Sequence, residues 1–258
     1  MTRREQYERD GYLLLNDSIL PADLAARAGE GLEAVRDGKY DTGREPEDSP
    51  WKPGSDPRQL VKIEMPQLSS QILREVLRHP NLGKLALELT GAKWVQVWWV
   101  QGLIKPSAEP GKQDGTKVGW HQDKQYWHHW TDDSELFTAW LALSDVTLDA
   151  GPMRFVPGSH KWGLMEAGNF YGQELEKLKS GIKLPPGAAW TEVPAVMPAG
   201  GVSFHHQLTF HGSGGNTSGR LRRSLAIHLR TDRSQTREAN PWVARYVNNP
   251  DICPTFHA

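Results

Sequence analysis

Apolar positions along the first third of the chain fall mainly at helical spacing. Residues Glu5–Asp10 read as a short charged helix, and Gly11-Tyr12-Leu13-Leu14-Leu15 as a short buried strand. Pro21 suits a first helical position, and Leu24, Ala25, Ala28, Leu32 and Val35 then recur on one face up to about Gly38. Residues 39–59 break the pattern with Pro, Gly and charge, which predicts a loop that could act as a lid, with Trp51 able to swing over a ligand. Leu60–Glu64 reads as a strand. Ile72, Leu73, Val76 and Leu77 form a helical stripe. Pro80 opens a further helix with Leu82, Leu85, Ala86 and Leu89 on one face, and Gly91 suits its C-terminal cap.

From Lys93 the period changes to two. Trp94–Ile104 alternates and is rich in Val and Trp, and Lys105-Pro106 ends it. Residues 107–117 are polar and Gly-rich, a predicted loop. Strands follow at about 118–123, Phe137–Leu143, Met153–Val156, Thr191–Val196, Val202–His206 and Arg222–Arg230. Pro157–His160 and Pro198–Gly201 are turns, and a Gly-rich turn follows His211. Residues 164–190 form an irregular insert with one short helix near Gln173–Lys179, a second lid candidate. The tail, 231–258, carries no clear motif. Many short strands joined by Gly/Pro turns predict a mainly β protein of the jelly-roll type, a double-stranded β-helix with N-terminal helices packed on one sheet.

Composition narrows this further. The 258 residues suit one large β domain over 1–258 as well as two small ones. A net charge of −1 and a pI near 6.8 provide no electrostatic case for nucleic acid or membrane partners. The single cysteine, Cys253, cannot form an internal disulfide, in keeping with a cytoplasmic location. The N-terminus has no apolar signal region, and no apolar run reaches the roughly 18 residues of a spanning helix. Eleven tryptophans are many, and several lie between Trp94 and Trp140. They either fill a barrel core or wall a ligand pocket.

Candidate chemistry centres on Trp120-His121-Gln122-Asp123. On a strand, positions i and i+2 point to one face, so His121 and Asp123 can aim an imidazole and a carboxylate at one point. His211, some ninety residues later, would complete a set of two histidines and one carboxylate. That set leaves metal positions open and is associated with non-haem Fe(II) oxygenases. His128, His129, His160, His205 and His206 have no metal-ligand partner at suitable spacing, and are expected to be structural or at the surface.

The surrounding segments carry a resemblance. Thr138–Leu143, then Asp149-Ala150-Gly151-Pro152-Met153-Arg154-Phe155-Val156-Pro157-Gly158-Ser159-His160, then Phe210-His211-Gly212-Ser213 and on to Arg222-Arg223-Ser224 together resemble the phytanoyl-CoA dioxygenase family. That family is a branch of the Fe(II)/2-oxoglutarate-dependent oxygenases, and the likeness is densest over residues 95–230. It implies Fe(II), 2-oxoglutarate and O2, with decarboxylation to succinate and CO2 and oxidation, chiefly hydroxylation, of a small molecule. Related halogenases lack the carboxylate ligand, so Asp123 favours oxygenation.

The distal carboxylate of 2-oxoglutarate calls for an arginine, whose planar fork makes two parallel charge-assisted hydrogen bonds. Among Arg220, Arg222 and Arg223, Arg222 lies eleven residues after His211, where the family has its cosubstrate arginine. Strand parity agrees. Arg222, Ser224, Ala226 and His228 share one face, while Leu225, Ile227 and Leu229 share the face suited to helices. Arg223 is expected to be solvated. The resemblance also implies cosubstrate contacts for Trp140, Lys62 and Gln101, each with an ordinary alternative: a core Trp, a solvated Lys, a strand amide. A metal-dependent cupin-like isomerase or a non-catalytic ligand binder would need no arginine at 222. The motif does not separate hydroxylation from desaturation, epoxidation or cyclisation, and does not give the oligomeric state.

Overall fold

A computed structural model describes residues 1–108, 115–165, 167–237 and 241–258, the side chains of Pro241 and Trp242 excepted. In chain order the elements are α1 (Arg3–Asp10), β1 (Tyr12–Leu14), α2 (Ala22–Arg36), β2 (Val61–Glu64), α3 (Gln71–Leu77), α4 (Pro80–Thr90), β3 (Trp94–Lys105) and β4 (Val118–His121). They continue with β5 (Leu136–Ala142), β6 (Met153–Phe155), α5 (Leu175–Gly181), β7 (Val193–Pro194), β8 (Val202–His206), β9 (His211–Ser213), β10 (Arg222–Thr231), α6 (Pro241–Val247) and β11 (Thr255–His257). The larger sheet runs β1-β8-β5-β10-β3-β11, with β2 also paired to β3, and the smaller runs β4-β9-β6-β7. Tyr12, Leu103, Trp140 and Ala226 of the first sheet pack with Met153 and Phe155 of the second. This is the mainly β jelly roll expected from the turn-rich strand pattern.

The central strand β10 shows why the layers separate. Leu225, Ile227 and Leu229 are fully buried in a core they share with Leu24, Ala28 and Leu32 of α2 and Leu73 and Leu82 of α3 and α4. Residues of the other parity line the interior between the sheets. Burial of such side chains stabilises by about 1.5–3 kcal/mol each, which holds the helices on this face only. The helix α2 can approach closely because β3 has Gly102 beneath it. A Cβ there would come within 2.4 Å of Leu32 Cδ1.

The alternation of β3 is not continuous. Its register against β10 shifts between His228, opposite Trp99, and Leu229, opposite Val97. Trp98 is therefore the extra residue of a β-bulge. Val95 and Val97 face the helices before it, and Val100 and Ile104 after it. Trp98 and Trp99 are thereby brought together beside His228.

Several boundaries differ from the sequence reading. Pro21 precedes the first helical residue of α2. Trp51 does not swing free. It is buried, and its Nε1 donates to the Arg36 carbonyl at 3.0 Å. Gly212 and Ser213 continue β9 instead of turning. The tail forms α6 and β11, and β11 pairs with β3 through Phe256↔Val95. The loop expected at 107–117, the insert at 164–190 and the tail at 231–258 each include positions outside the described residues: 109–114, 166 and 238–240.

The insert lies along the free edge of β4. Gly119 N donates to the Phe170 carbonyl and Asn169 N to the Trp120 carbonyl, both at 2.9 Å. Two glycines make this approach possible. A Cβ on Gly119 would sit 2.1 Å from the Asn169 carbonyl oxygen, and one on Gly168, at φ +101°, 2.0 Å from that of Trp120. Gly168→Ala is therefore expected to destabilise the fold by about 1–3 kcal/mol, read by urea unfolding, with faster proteolysis within the insert. Unchanged stability and cleavage would show that the seam is dispensable.

Candidate active site

His121 and His211 are directly opposite one another in the β4–β9 pairing, with ring centroids 4.1 Å apart. Asp123 departs from the expected strand position. β4 ends at His121, and Asp123 opens a 3-10 turn through Tyr126. Gln122 between them is still extended, at φ −112° and ψ 133°, so the i, i+2 relation survives past the strand end. Asp123 Oδ1 lies 3.7 Å from His121 Nε2 and 3.6 Å from His211 Nε2. One ligand atom from each of the three residues falls within 4.8 Å of the others.

The other polar atoms of the triad are occupied in a way that leaves these three atoms facing one point. His121 Nδ1 pairs with the Gly119 carbonyl at 2.8 Å, and His211 Nδ1 with the Thr209 carbonyl at 2.9 Å. A neutral ring then carries its proton on Nδ1 and its lone pair on Nε2. Burial pushes the His211 ring well below its ordinary value, which favours that neutral form. Asp123 Oδ2 accepts from Thr138 Oγ1 at 2.7 Å and pairs with His205 Nε2 at 3.1 Å, leaving Oδ1 for the triad. Burial raises the Asp123 carboxyl, but the pull of His211, His121 and His205 outweighs it and holds the group well below the usual carboxylate range. The buried Gln122 amide donates to the Gly163 and Leu208 carbonyls and accepts from Met165 N, tying the turn after β4 to the insert.

The triad opens into a narrow cavity between the sheets, lined by residues including Gln101, Thr138, Trp140, Phe170, His205, Arg222 and His228. The Arg222 guanidinium is almost wholly buried, lies 5.1 Å over the Trp140 ring, and donates through Nη1 to the Gly151 carbonyl at 2.8 Å. Its Nε has no partner, and no carboxylate pairs with it among the described residues. Burial pushes it down to about 10. Lys105, its cross-strand neighbour on β3, is also buried and donates to Ser213 Oγ and the Gly214 carbonyl, both at 2.6 Å. An arginine buried this way is costly unless an anion joins it.

The cavity brings together His121, Asp123, His211, Arg222, Trp140 and Gln101 from the residues singled out in the sequence. Gln101 Nε2 donates to Glu64 Oε1 at 3.3 Å. Ser224 is buried beside the cavity, with its hydroxyl on the Leu103 carbonyl at 3.4 Å, and is not in the lining. Lys62 lies outside this cavity. It pairs with Glu64 at 3.1 Å and sits over the Phe170 ring in the wall of an outer chamber. Arg223 pairs with Glu33 on the helix-covered face. His205, expected to be structural or at the surface, is buried in the site, where its Nε2 meets Asp123 Oδ2. The alternation of outward Val202 and Phe204 with inward Ser203 and His205 carried that signal. Thr138 and Phe170 had no comparable mark in the sequence.

The chain matches the phytanoyl-CoA dioxygenase (PhyH) family over residues 7–224. It is 29% identical over 227 residues to the ectoine dioxygenase of Bordetella parapertussis, covering 83% of this chain and 70% of that protein. It is 26% identical to a probable alpha-ketoglutarate-dependent hypophosphite dioxygenase of Stutzerimonas stutzeri, covering 87% and 76%. Among solved structures, the carbocyclase SnoK from nogalamycin biosynthesis shares the fold with a TM-score of 0.70 at 24% identity, over 98% of this chain and 95% of that one. The epimerase SnoN, in complex with Fe3+, alpha-ketoglutarate and nogalamycin RO, does so at 0.69 and 24%, over 93% and 87%. The chain belongs to the phytanoyl-CoA dioxygenase family and is an Fe(II)/2-oxoglutarate-dependent dioxygenase.

Proposed function

We propose that His121, Asp123 and His211 hold the Fe(II), that Arg222 binds the distal carboxylate of 2-oxoglutarate, and that the enzyme hydroxylates a small molecule. The observation that carries this reading is the buried, carboxylate-free guanidinium of Arg222 in the same cavity as three converging ligand atoms. A site with only a structural metal would have no use for it. When bound, Fe(II) with O2 and 2-oxoglutarate supplies the oxidising power, and the cosubstrate leaves as succinate and CO2.

The protein's own part is to bind, orient and exclude. Thr138 and His205 fix the Asp123 carboxylate by holding Oδ2, and the Gly119 and Thr209 carbonyls fix the two ring tautomers. Trp140 provides a face for the guanidinium, and Lys105 adds a second cation on the neighbouring strand. Gln101 and Trp140 border the cosubstrate space, Ser224 backs it, and Lys62 acts from the outer chamber. Phe170 of the insert packs against His121 at 5.2 Å and screens the metal side from water.

The reaction partner is a diffusible small molecule in the cytoplasm, bound by one domain spanning 1–258. In support, the net charge is close to zero, and among the described residues no helix is long and apolar enough to cross a membrane. The relatives bear names of quite different small substrates, ectoine and hypophosphite, so family membership does not choose between them.

Anaerobic addition of Fe(II) and 2-oxoglutarate to the purified protein is expected to produce the weak visible charge-transfer band of the chelate. Asp123→Ala should abolish it. Arg222→Ala should leave iron binding intact and raise the 2-oxoglutarate concentration at half-saturation by about 100-fold, the scale of two charged hydrogen bonds. Metal bound without a band in wild type would sink the reading. In a separate titration, Thr138→Val is expected to weaken Co(II) affinity by about 10-fold and to lower apo stability by about 1–3 kcal/mol, because Asp123 Oδ2 and His228 Nδ1 each lose a buried partner. Equal affinity would remove Thr138 from the metal-orienting role.

A further inference from the structure

A chamber of about 370 Å³ lies beside the iron cavity, and Gln101 and His228 line both spaces. The chamber walls also include Trp99, Tyr126, Trp127 and Tyr171. The bulge of β3 supplies the first of these, the turn after Asp123 the next two, and the insert the last. The carboxylate of Glu64, in the same wall, is already held by Trp99 Nε1 at 2.6 Å, Gln101 Nε2 and Lys62.

His228 is held so that one ring nitrogen remains for a ligand. Its imidazole lies between the indoles of Trp98 and Trp127, at centroid distances of 5.8 and 4.9 Å. Its Nδ1 is 2.9 Å from Thr138 Oγ1, and that hydroxyl is 2.7 Å from Asp123 Oδ2. A carboxylate only accepts, so the single Thr138 proton goes to Asp123. Thr138 must then accept from His228, which places the ring proton on Nδ1. Nε2 therefore carries a lone pair, and it bonds to nothing among the described residues. Burial pushes the ring down to about 4, so it stays neutral near pH 7.

We infer that the substrate seats a flat, apolar body against the aromatic walls of this chamber and donates a hydrogen bond from a hydroxyl or amine to Nε2 of His228. The inference rests on the iron-site reading above for the identity of the reacting end, and it adds the chemistry of the group beside it. The relay runs Asp123 ← Thr138 ← His228 ← substrate, so the carboxylate that serves the metal also dictates which nitrogen meets the substrate. His228 is a specificity residue in this scheme. A substrate with only an acceptor at that position would face lone pair against lone pair.

Phenol and anisole are suitable probes, equal in ring and different in the donor. With Zn(II) and 2-oxoglutarate bound, wild type is expected to bind phenol about ten-fold more tightly than anisole, the size of one net hydrogen bond. The preference should vanish in His228→Phe, which keeps a ring between the two indoles. Retention of the Fe(II)/2-oxoglutarate band by that variant would show that its site is intact. Independently of any variant, histidine 15N spectra of wild type should show the Nδ1–H tautomer for His228, with Nε2 shifted by phenol and not by anisole. Equal affinity for the two probes, binding of neither, a preference that survives in His228→Phe, or an Nε2–H tautomer would overturn the inference. A phenol preference in a wild-type protein that gives no chelate band would strike the iron assignment and leave the His228 acceptor standing.

Discussion

An antiparallel strand has two faces, and in this protein β10 assigns one to the helices and the other to the chemistry. Leu225, Ile227 and Leu229 anchor the helical layer, and Arg222, Ala226 and His228 enter the cavity. A slip of one residue would exchange the two sets, burying a guanidinium under α2 and turning leucines into the cavity. The hydrophobic layer is therefore also what aims the active-site side chains. The bulge at Trp98, a departure from simple pairing between β10 and β3, falls beside His228.

Within the cavity the controlling problem is buried polarity. Asp123, His205, His211, Thr138, Arg222 and His228 are all largely withdrawn from water. Such groups persist when each has a defined partner. Asp123 has Thr138 and His205, His121 and His211 have backbone carbonyls, and His228 has Thr138. Atoms without a partner among the described residues include His121 Nε2, His211 Nε2, Asp123 Oδ1, Arg222 Nε and His228 Nε2, together with His205 Nδ1 and Trp140 Nε1.

Much of this was legible in the sequence because period and spacing are local. The helical stripe of α2, the Gly91 cap, the parity of β10 and the His121/Asp123/His211 pattern could all be read along the chain. The parts that were not legible depend on contacts made at long range. The strand β11 is three residues long and exists because the edge of β3 is available to it. Trp51 reads as a loose loop residue, yet the Arg36 carbonyl draws it into the core. The importance of Thr138 comes entirely from lying across a strand pair from His228 and His205. Lys62 pairs with Glu64 in the wall of the outer chamber, a placement that its neighbours along the chain do not mark.

The seam between the insert and β4 has a bearing on how such a site can diversify. β4 is the outermost strand of the smaller sheet, and its exposed backbone edge would otherwise be open to pairing with another chain. Two backbone bonds from residues 169 and 170 close it. The same short stretch delivers Phe170 to the face of His121 and Tyr171 to the outer chamber. A lineage altering this segment to accommodate a new compound thus works under a solubility constraint as well as a catalytic one. The backbone of the seam has to be kept, and variation is confined to the side chains it presents and to the loops on either side.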